Sequence, residues 1–321
     1  MQRFFRSLLV SLLAAFFAAT ATAQYPSRSI RLLVPFPPGG GPDIVGRILA
    51  PKLSDALGQP VVVENRIGSN GNIAGEAVAR SSADGYTLLL GNDSLLVINP
   101  HLYKQMPFDP LKDLAPVASL VSNGFFMAVN PSVPAQTFQE FIEYARRAEP
   151  PLQYASGGNG SQHHLTMERL RARAGINITH IPYKGGAPAT TATVAGEVAV
   201  MMSGTSTAPQ IKAGRLRALA FTGPQRSRVL PEVPAVAEFY PDFVMVQWYG
   251  LFVPAGTQEA VVVRLRAEVN RALALPDVKE RLSNAGGVEP WITTPEEFAA
   301  ELRDQFATYG KLVKEVGAKI D

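Results

Sequence analysis

Pro35-Phe36-Pro37-Pro38-Gly39-Gly40-Gly41-Pro42-Asp43 separates two hydrophobic periods. Before it, 30–35 is a short apolar run of strand character. After it, Ile44, Ile48, Leu49, Leu53 and Leu57 recur at helical spacing until Gly58 ends the pattern. Three consecutive glycines let a backbone approach a ligand, and the helix start behind them favours an anion. The prolines stiffen the loop and remove competing donors. Asp43 is placed to N-cap the helix. A nucleotide loop is excluded: there is no G-x-x-x-x-G-K-[ST], and a frame starting at Gly39 puts Ile44 where G-x-G-x-x-G needs its third glycine. A plain strand–helix connection stays open as the alternative.

Outward from this loop the pattern repeats. A strand at 61–64, a turn-rich loop at 65–71, a helix at 72–83 and a strand at 86–90 make β-α-β-α-β, which predicts a parallel sheet with helices on both faces. Residues 109–114 read as a linker. A second region opens with a strand at 125–129 and a helix at 137–148 that puts Phe138, Phe141, Ile142 and Ala145 on one face. A strand at 153–155 then leads into Ser156-Gly157-Gly158-Asn159-Gly160-Ser161 and a helix through Arg173. Further strands are expected at 178–182, 198–202, 216–221 and 249–253, and helices at 187–195, 258–274, 277–285 and 295–316. Trp248-Tyr249 reads as core or as cleft wall.

Strand, glycine-rich loop and helix thus occur at 30–57 and again at 152–173. Open α/β sheets bind ligands at the carboxyl ends of their strands, so two such half-sites suggest one ligand clamped between two hinged lobes. The expected fold is α/β, a two-lobed, type II-like binding protein with mixed sheets flanked by helices. Residues 24–124 and 247–321 are assigned to lobe 1 and 125–246 to lobe 2. A chain of 321 residues suits two cores better than one.

Residues 1–23 read as a cleavable export signal. Arg3 and Arg6 supply the positive end, 8–19 is an apolar run too short to span a bilayer, and Ala21-Thr22-Ala23 is an A-x-A cleavage site with the cut after Ala23. The chain has 30 basic and 27 acidic residues; without Arg3 and Arg6 it has 28 and 27, a charge of +1. That balance carries no basic stripe for nucleic acid. The absence of cysteine excludes disulfides, thiolate metal sites, a cysteine nucleophile and a lipoprotein anchor.

Catalysis finds little support. Ser161 and Ser203 lack a G-x-S-x-G frame. The four histidines, His101, His163, His164 and His180, sit in no triad context, and the adjacent His163 and His164 lack metal-ligand spacing. One of that pair is expected at the core edge and the other exposed, with ligand bonding by His164 the sharper alternative. No metal and no cofactor are expected.

A run of ordered motifs carries a resemblance. Pro35-Phe36-Pro37-Pro38-Gly39-Gly40 with Asp43 and Arg47, Gly58 through Arg66, Ala83-Asp84-Gly85-Tyr86-Thr87-Leu88, Phe108 through Leu114, Tyr154 through Ser161 with His164-Leu165, Pro182 through Pro188, Ile211 through Ala220 and Trp248 through Gly256 together resemble the Bug (TctC-like) extracytoplasmic solute receptors of tripartite tricarboxylate transporters. The resemblance implies two α/β lobes joined by crossing strands. Between them a carboxylate is held largely by backbone N–H groups, without an arginine clamp. It carries over Phe36, Gly39, Gly40 and Asp43 from the first loop and Ser156, Gly158, Asn159, Gly160, Ser161 and His164 from the second; Pro38, Asn92 and Tyr183 complete the expected binding set. It also implies a periplasmic monomer that binds a small organic carboxylate and hands it to the membrane components of such a transporter. A sensor protein as partner, or a hydrolase-like enzyme on the same fold, are the alternatives. Ala199 stands where the family usually has aspartate, Gln258 where proline is common and Ala235 where threonine is usual. The Ala199 change is expected to remove a polar group near the lobe interface.

Overall fold

The computed structural model describes residues 25–286 and 288–318, so the expected export signal lies outside the described residues. Lobe 1 starts from three parallel strands. β1 (Ile30–Val34) lies between β2 (Val61–Asn65) and β3 (Thr87–Asn92). Helix α1 (Gly41–Leu57) connects β1 to β2, and α2 (Asn72–Ala79) precedes β3. The β-α-β-α-β reading is therefore observed. α2 stops at Ala79, before the expected end at 83, because Ser81-Ser82-Ala83-Asp84-Gly85 is turn-forming sequence.

The strand expected at 125–129 is only the end of a longer one. β4 runs unbroken over Leu114–Val129, 16 residues, and absorbs the supposed boundary between regions. Register shifts at Pro116/Ala118 and Ser119/Val121 hide it from the alternation rule. A proline without an N–H is tolerated at such a bulge.

Lobe 2 follows: α3 (Phe138–Arg147), β5 (Leu152–Ser156), α4 (Gln162–Ala174), β6 (Ile178–Pro182), α5 (Gly186–Ala195), β7 (Val200–Gly204) and β8 (Arg217–Phe221). α3 begins in a capping box between Thr137 and Glu140 and buries Phe138, Phe141, Ile142 and Ala145, the face its spacing predicts. The chain returns to lobe 1 through β9 (Val246–Pro254) and closes with α6 (Glu259–Ala274), α7 (Pro276–Arg281), the two-residue β10 (Glu289–Pro290) and α8 (Pro295–Glu315).

The strand order is β2-β1-β3-β9-β4-β7-β5-β6, with β8 and β10 also on β4. β9 enters between β3 and β4, antiparallel to both, so the sheet is mixed. β4 pairs with β9 from Leu114 to Gly124 and with β7 from Phe125 to Val129. One strand thus belongs to both lobes. The largest hydrophobic cluster follows it, running from Leu33, Leu89 and Phe252 to Phe125, Tyr154 and Met202, while a second, with Ile30, Leu53 and Leu265, stays on the β1 side and a third, with Ala189 and Met201, on the β7 side. Trp248 is buried edge-to-face on Phe298, 5.5 Å between centroids, and is core.

Candidate functional site

Three helix starts meet at one cavity. β1 ends at Val34, and its loop delivers Gly39, Gly40 and the first residues of α1, Gly41 and Pro42. β5 ends at Ser156, and its loop delivers Gly157, Ser161 and the first residues of α4, Gln162 and His163. β6 ends at Pro182, followed by Gly185 and the start of α5, Gly186 and Ala187. The first-turn amides of a helix have no carbonyl one turn earlier to bond, and the helix dipole places partial positive charge there. The cavity is about 230 Å³ and lies between the lobes.

Neutral polar groups complete the wall. Asn92 and Ser94 come from the end of β3, Gln247 and Tyr249 from β9, and Thr190 and Gln210 from lobe 2. Among the described residues no Lys, Arg, Asp or Glu lines this cavity. The Tyr249 hydroxyl donates to Gln247 Oε1 at 3.3 Å, and burial pushes its pKa upward.

On the cavity wall, Gln162 ties the lobes together. Its backbone N–H donates to Ser94 Oγ at 3.1 Å, and its side-chain Nε2 to Val246 O at 2.9 Å and Asp93 Oδ2 at 3.2 Å, with the Tyr309 hydroxyl also in bonding range. Asp93 is fully buried, and burial pushes its carboxyl up to about 7, opposed by bonds from the Ser94 N–H, Gln162 and the Trp248 N–H.

Of the expected binding residues, Phe36, Gly39, Gly40, Asn92 and Ser161 line the cavity. The others do not. Asp43 is not the N-cap of α1. The cap is Gly40, and the Asp43 carboxylate turns back to accept the Gly39 N–H at 2.9 Å, with Arg47 and Asn65 as further donors. Burial alone would raise its pKa; those donors hold it below the usual carboxylate range. Asp43 therefore fastens the loop from behind. Pro38 is exposed at the loop tip and lines neither this cavity nor the next.

Ser156 is also a fastener. Its Oγ lies 2.6 Å from His180 Nε2 and 3.0 Å from the Gly158 N–H, and it is fully buried. His164 accepts the Gly160 N–H at Nδ1, 3.0 Å, and stacks on His180 with centroids 4.0 Å apart. Burial pulls both rings down to about 4. Gly158, Asn159 and Tyr183 line a second, more open cavity of about 580 Å³ that also holds Lys184. Phe36, Gly157 and Gly185 border both cavities, and Pro37 packs on Gly185: a Cβ there would lie 2.8 Å from Pro37 Cδ.

The histidine that lines the cavity is His163, not His164. Gly185, Gly186, Thr190, Gln210 and Gln247 also line the cavity and lie outside the expected set. The glycines directly after β6 carried the available signal, since they end a strand as the other two loops do. Ala199 is far from the site. Its N–H bonds Gln153 O and its carbonyl accepts from Asn130, at the end of β7 opposite Gly204, so the expected polar loss near the lobe interface is corrected.

The family described as tripartite tricarboxylate transporter family receptor matches residues 45–318. This chain belongs to that family. It is 37% identical to Protein BugT of Bordetella pertussis over 324 residues, covering 100% of this chain and 99% of the relative. Among solved structures, Rpa4515 of R. palustris with adipate superposes with a TM-score of 0.89 at 32% identity, covering 92% of this chain and 100% of the other. MatC from Rhodopseudomonas palustris with bound malate gives 0.84 at 30% identity, covering 90% and 100%. The structure of periplasmic binding protein BugD superposes with a TM-score of 0.87 at 32% identity, covering 92% of this chain and 99% of the other, which gives this chain the two-lobed periplasmic binding protein fold and membership among the Bug receptors.

Proposed function

We propose that this chain is a periplasmic receptor that closes lobes 24–124 plus 247–321 and 125–246 on a small organic carboxylate and delivers it to the membrane components of a tripartite tricarboxylate transporter. The observation that carries this is the convergence of the α1, α4 and α5 N-termini on one cavity walled only by neutral side chains. A carboxylate there finds N–H donors from both lobes, and charge-assisted bonds to N–H groups are strong once water is excluded. Phe36, Gly39, Gly40, Asn92 and Ser161 are its contacts, joined by the Gly186 end of α5, Gln247 and Tyr249. Adipate and malate in the related structures support the ligand class.

The Ser156–His180 pair supports a receptor over a hydrolase. Its serine oxygen is buried in the loop and does not reach the cavity. Calorimetric titration with adipate, malate, succinate, glutarate and benzoate, with small-angle scattering of the free and bound protein, tests the reading. Binding with compaction is expected; no binding to any member of that panel overturns it.

A further inference from the structure

We propose that His163 is the proton-coupled contact of this site: it takes up a proton from solvent when a carboxylate binds, and the imidazolium then pairs with the anion. This rests on the carboxylate reading above.

The geometry begins with what surrounds the ring. His163 stands on the first turn of α4 and lines the cavity. Its edge meets Phe125 of β4, 5.2 Å between centroids. A Cβ on Gly157 would lie 2.9 Å from its Nδ1, and one on Gly186 would lie 3.5 Å from its Nε2. Two glycines from two different loops therefore make the slot the ring occupies. Among the described residues neither ring nitrogen has a hydrogen-bond partner in the protein, whereas His164 bonds Gly160 and His180 bonds Ser156. Two free nitrogens on a cavity wall are an unused donor and acceptor.

Charge makes the second half of the argument. Phe125, Gly157 and Gly186 bring no charge to the ring. Among the described lining residues the Tyr249 hydroxyl is the only other titratable group, and the buried Asp93, which does not line the cavity, accepts from Gln162 Nε2. His164 follows on the same helix but turns to His180, and Lys184 is exposed on the second cavity. Empty, the site gives an imidazolium no counter-ion, and desolvation keeps the ring neutral, pulled down to about 4. An anion reverses that balance, because an opposite charge in a dry site favours the charged form of its partner. Helix N-termini contribute roughly half a charge each. His163 is the side chain on this wall able to supply a full one near neutral pH. The step is imidazole plus a solvent proton giving imidazolium; no bond in the bound acid changes.

The test is calorimetry of wild type and His163→Gln, in two buffers of different protonation enthalpy at about pH 6, using whichever of adipate, malate, succinate, glutarate and benzoate binds most tightly. Wild type should take up close to one proton more per bound acid than His163→Gln, the variant correcting for any proton the probe itself carries. Wild-type affinity should weaken by up to about tenfold per pH unit as pH rises towards the bound-state pKa, and the variant should be flatter by that amount. Independently of the variant's folding, the His163 ring resonances of wild type should move to the protonated position on binding at that pH. Equal uptake in both proteins, or a ring that stays neutral in the complex, overturns the inference and leaves the carboxylate reading intact. Failure of every probe to bind overturns both.

Discussion

A Cβ on Gly41 would lie 2.5 Å from the hydroxyl oxygen of Tyr249. The first residue of α1 and a side chain of β9 therefore touch without room for a methyl group. Gly41→Ala should lower stability by about 1–3 kcal/mol, since the added methyl overpacks the buried Tyr249 ring at a helix start, where helix propensity counts for little. It should also push the Tyr249 ring out of place and weaken carboxylate binding by at least about tenfold. Thermal unfolding and calorimetry on the same sample separate the two effects; unchanged affinity would take the Tyr249 wall out of the site.

Gly185 makes a second close contact, across the lobes. Its φ of +115° disfavours any side chain, and its added Cβ would meet Pro37 Cδ at 2.8 Å. Gly185→Ala should hold the two loops apart. The expected result is weak binding and a bound-state radius of gyration that stays near that of the free protein. Full compaction with ligand would show that the loops part without cost.

Acid should destabilise the fold through its lobe 2 histidines. His163, His164 and His180 are each pulled from 6.5 to about 4 by burial. The unfolded chain therefore binds more protons than the fold between those values, so stability is complete above about pH 6.5 and falls as pH drops towards 4. Each ring contributes less than the full ~1.4 kcal/mol per pH unit, because all three keep some contact with water. Asp93 acts with the opposite sign: its raised carboxyl favours the fold at low pH and loses that contribution as pH rises through about 7. Three rings outweigh one carboxyl. Urea midpoints should drop from pH 6.5 to 4.5 in wild type and drop less in His180→Gln; a flat wild-type profile contradicts this.

Asp93→Asn should destabilise by about 1–3 kcal/mol. The Ser94 N–H reaches one carboxylate oxygen, and Gln162 and the Trp248 N–H reach the other, at 2.7, 3.2 and 3.2 Å. An amide NH2 in place of either oxygen points a donor at donors, and a buried group without a partner costs that much. A fall in melting temperature at pH 7.5 is the readout. An unchanged value would mean that one of the oxygens already carries a proton and donates.

Much of this architecture could be read from periodicity. The shift from strand to helix spacing across 35–43, and its echo at 152–173, placed two of the three helix starts that face the cavity. The third, the helix expected at 187–195, was placed to within one residue, but its start was not counted as part of the site. β4 escaped because bulges break its alternation at Pro116 and Ser119. His163 and His164 could not be told apart from sequence. A helix start faces a cavity on one side and its own core on the other, and only the position of β6, which brings His180, decides which ring stacks inward. Asp43 and Ser156 have the residue types of ligand contacts, yet the same oxygen atoms serve equally well to brace a loop.

The insertion of β9 between β3 and β4 constrains the order in which the chain can fold. Leu89, Leu90 and Gly91 pair with Phe252, Leu251 and Gly250, residues made more than 150 positions later. A chain emerging from its amino end holds one edge of an apolar sheet open until that late segment arrives. Fragments ending before residue 246 should consequently aggregate through this edge rather than fold to a stable first lobe. The cavity wall that Gln247 and Tyr249 supply cannot exist before β9 is made, so a product truncated ahead of it should bind none of the acids the full chain binds.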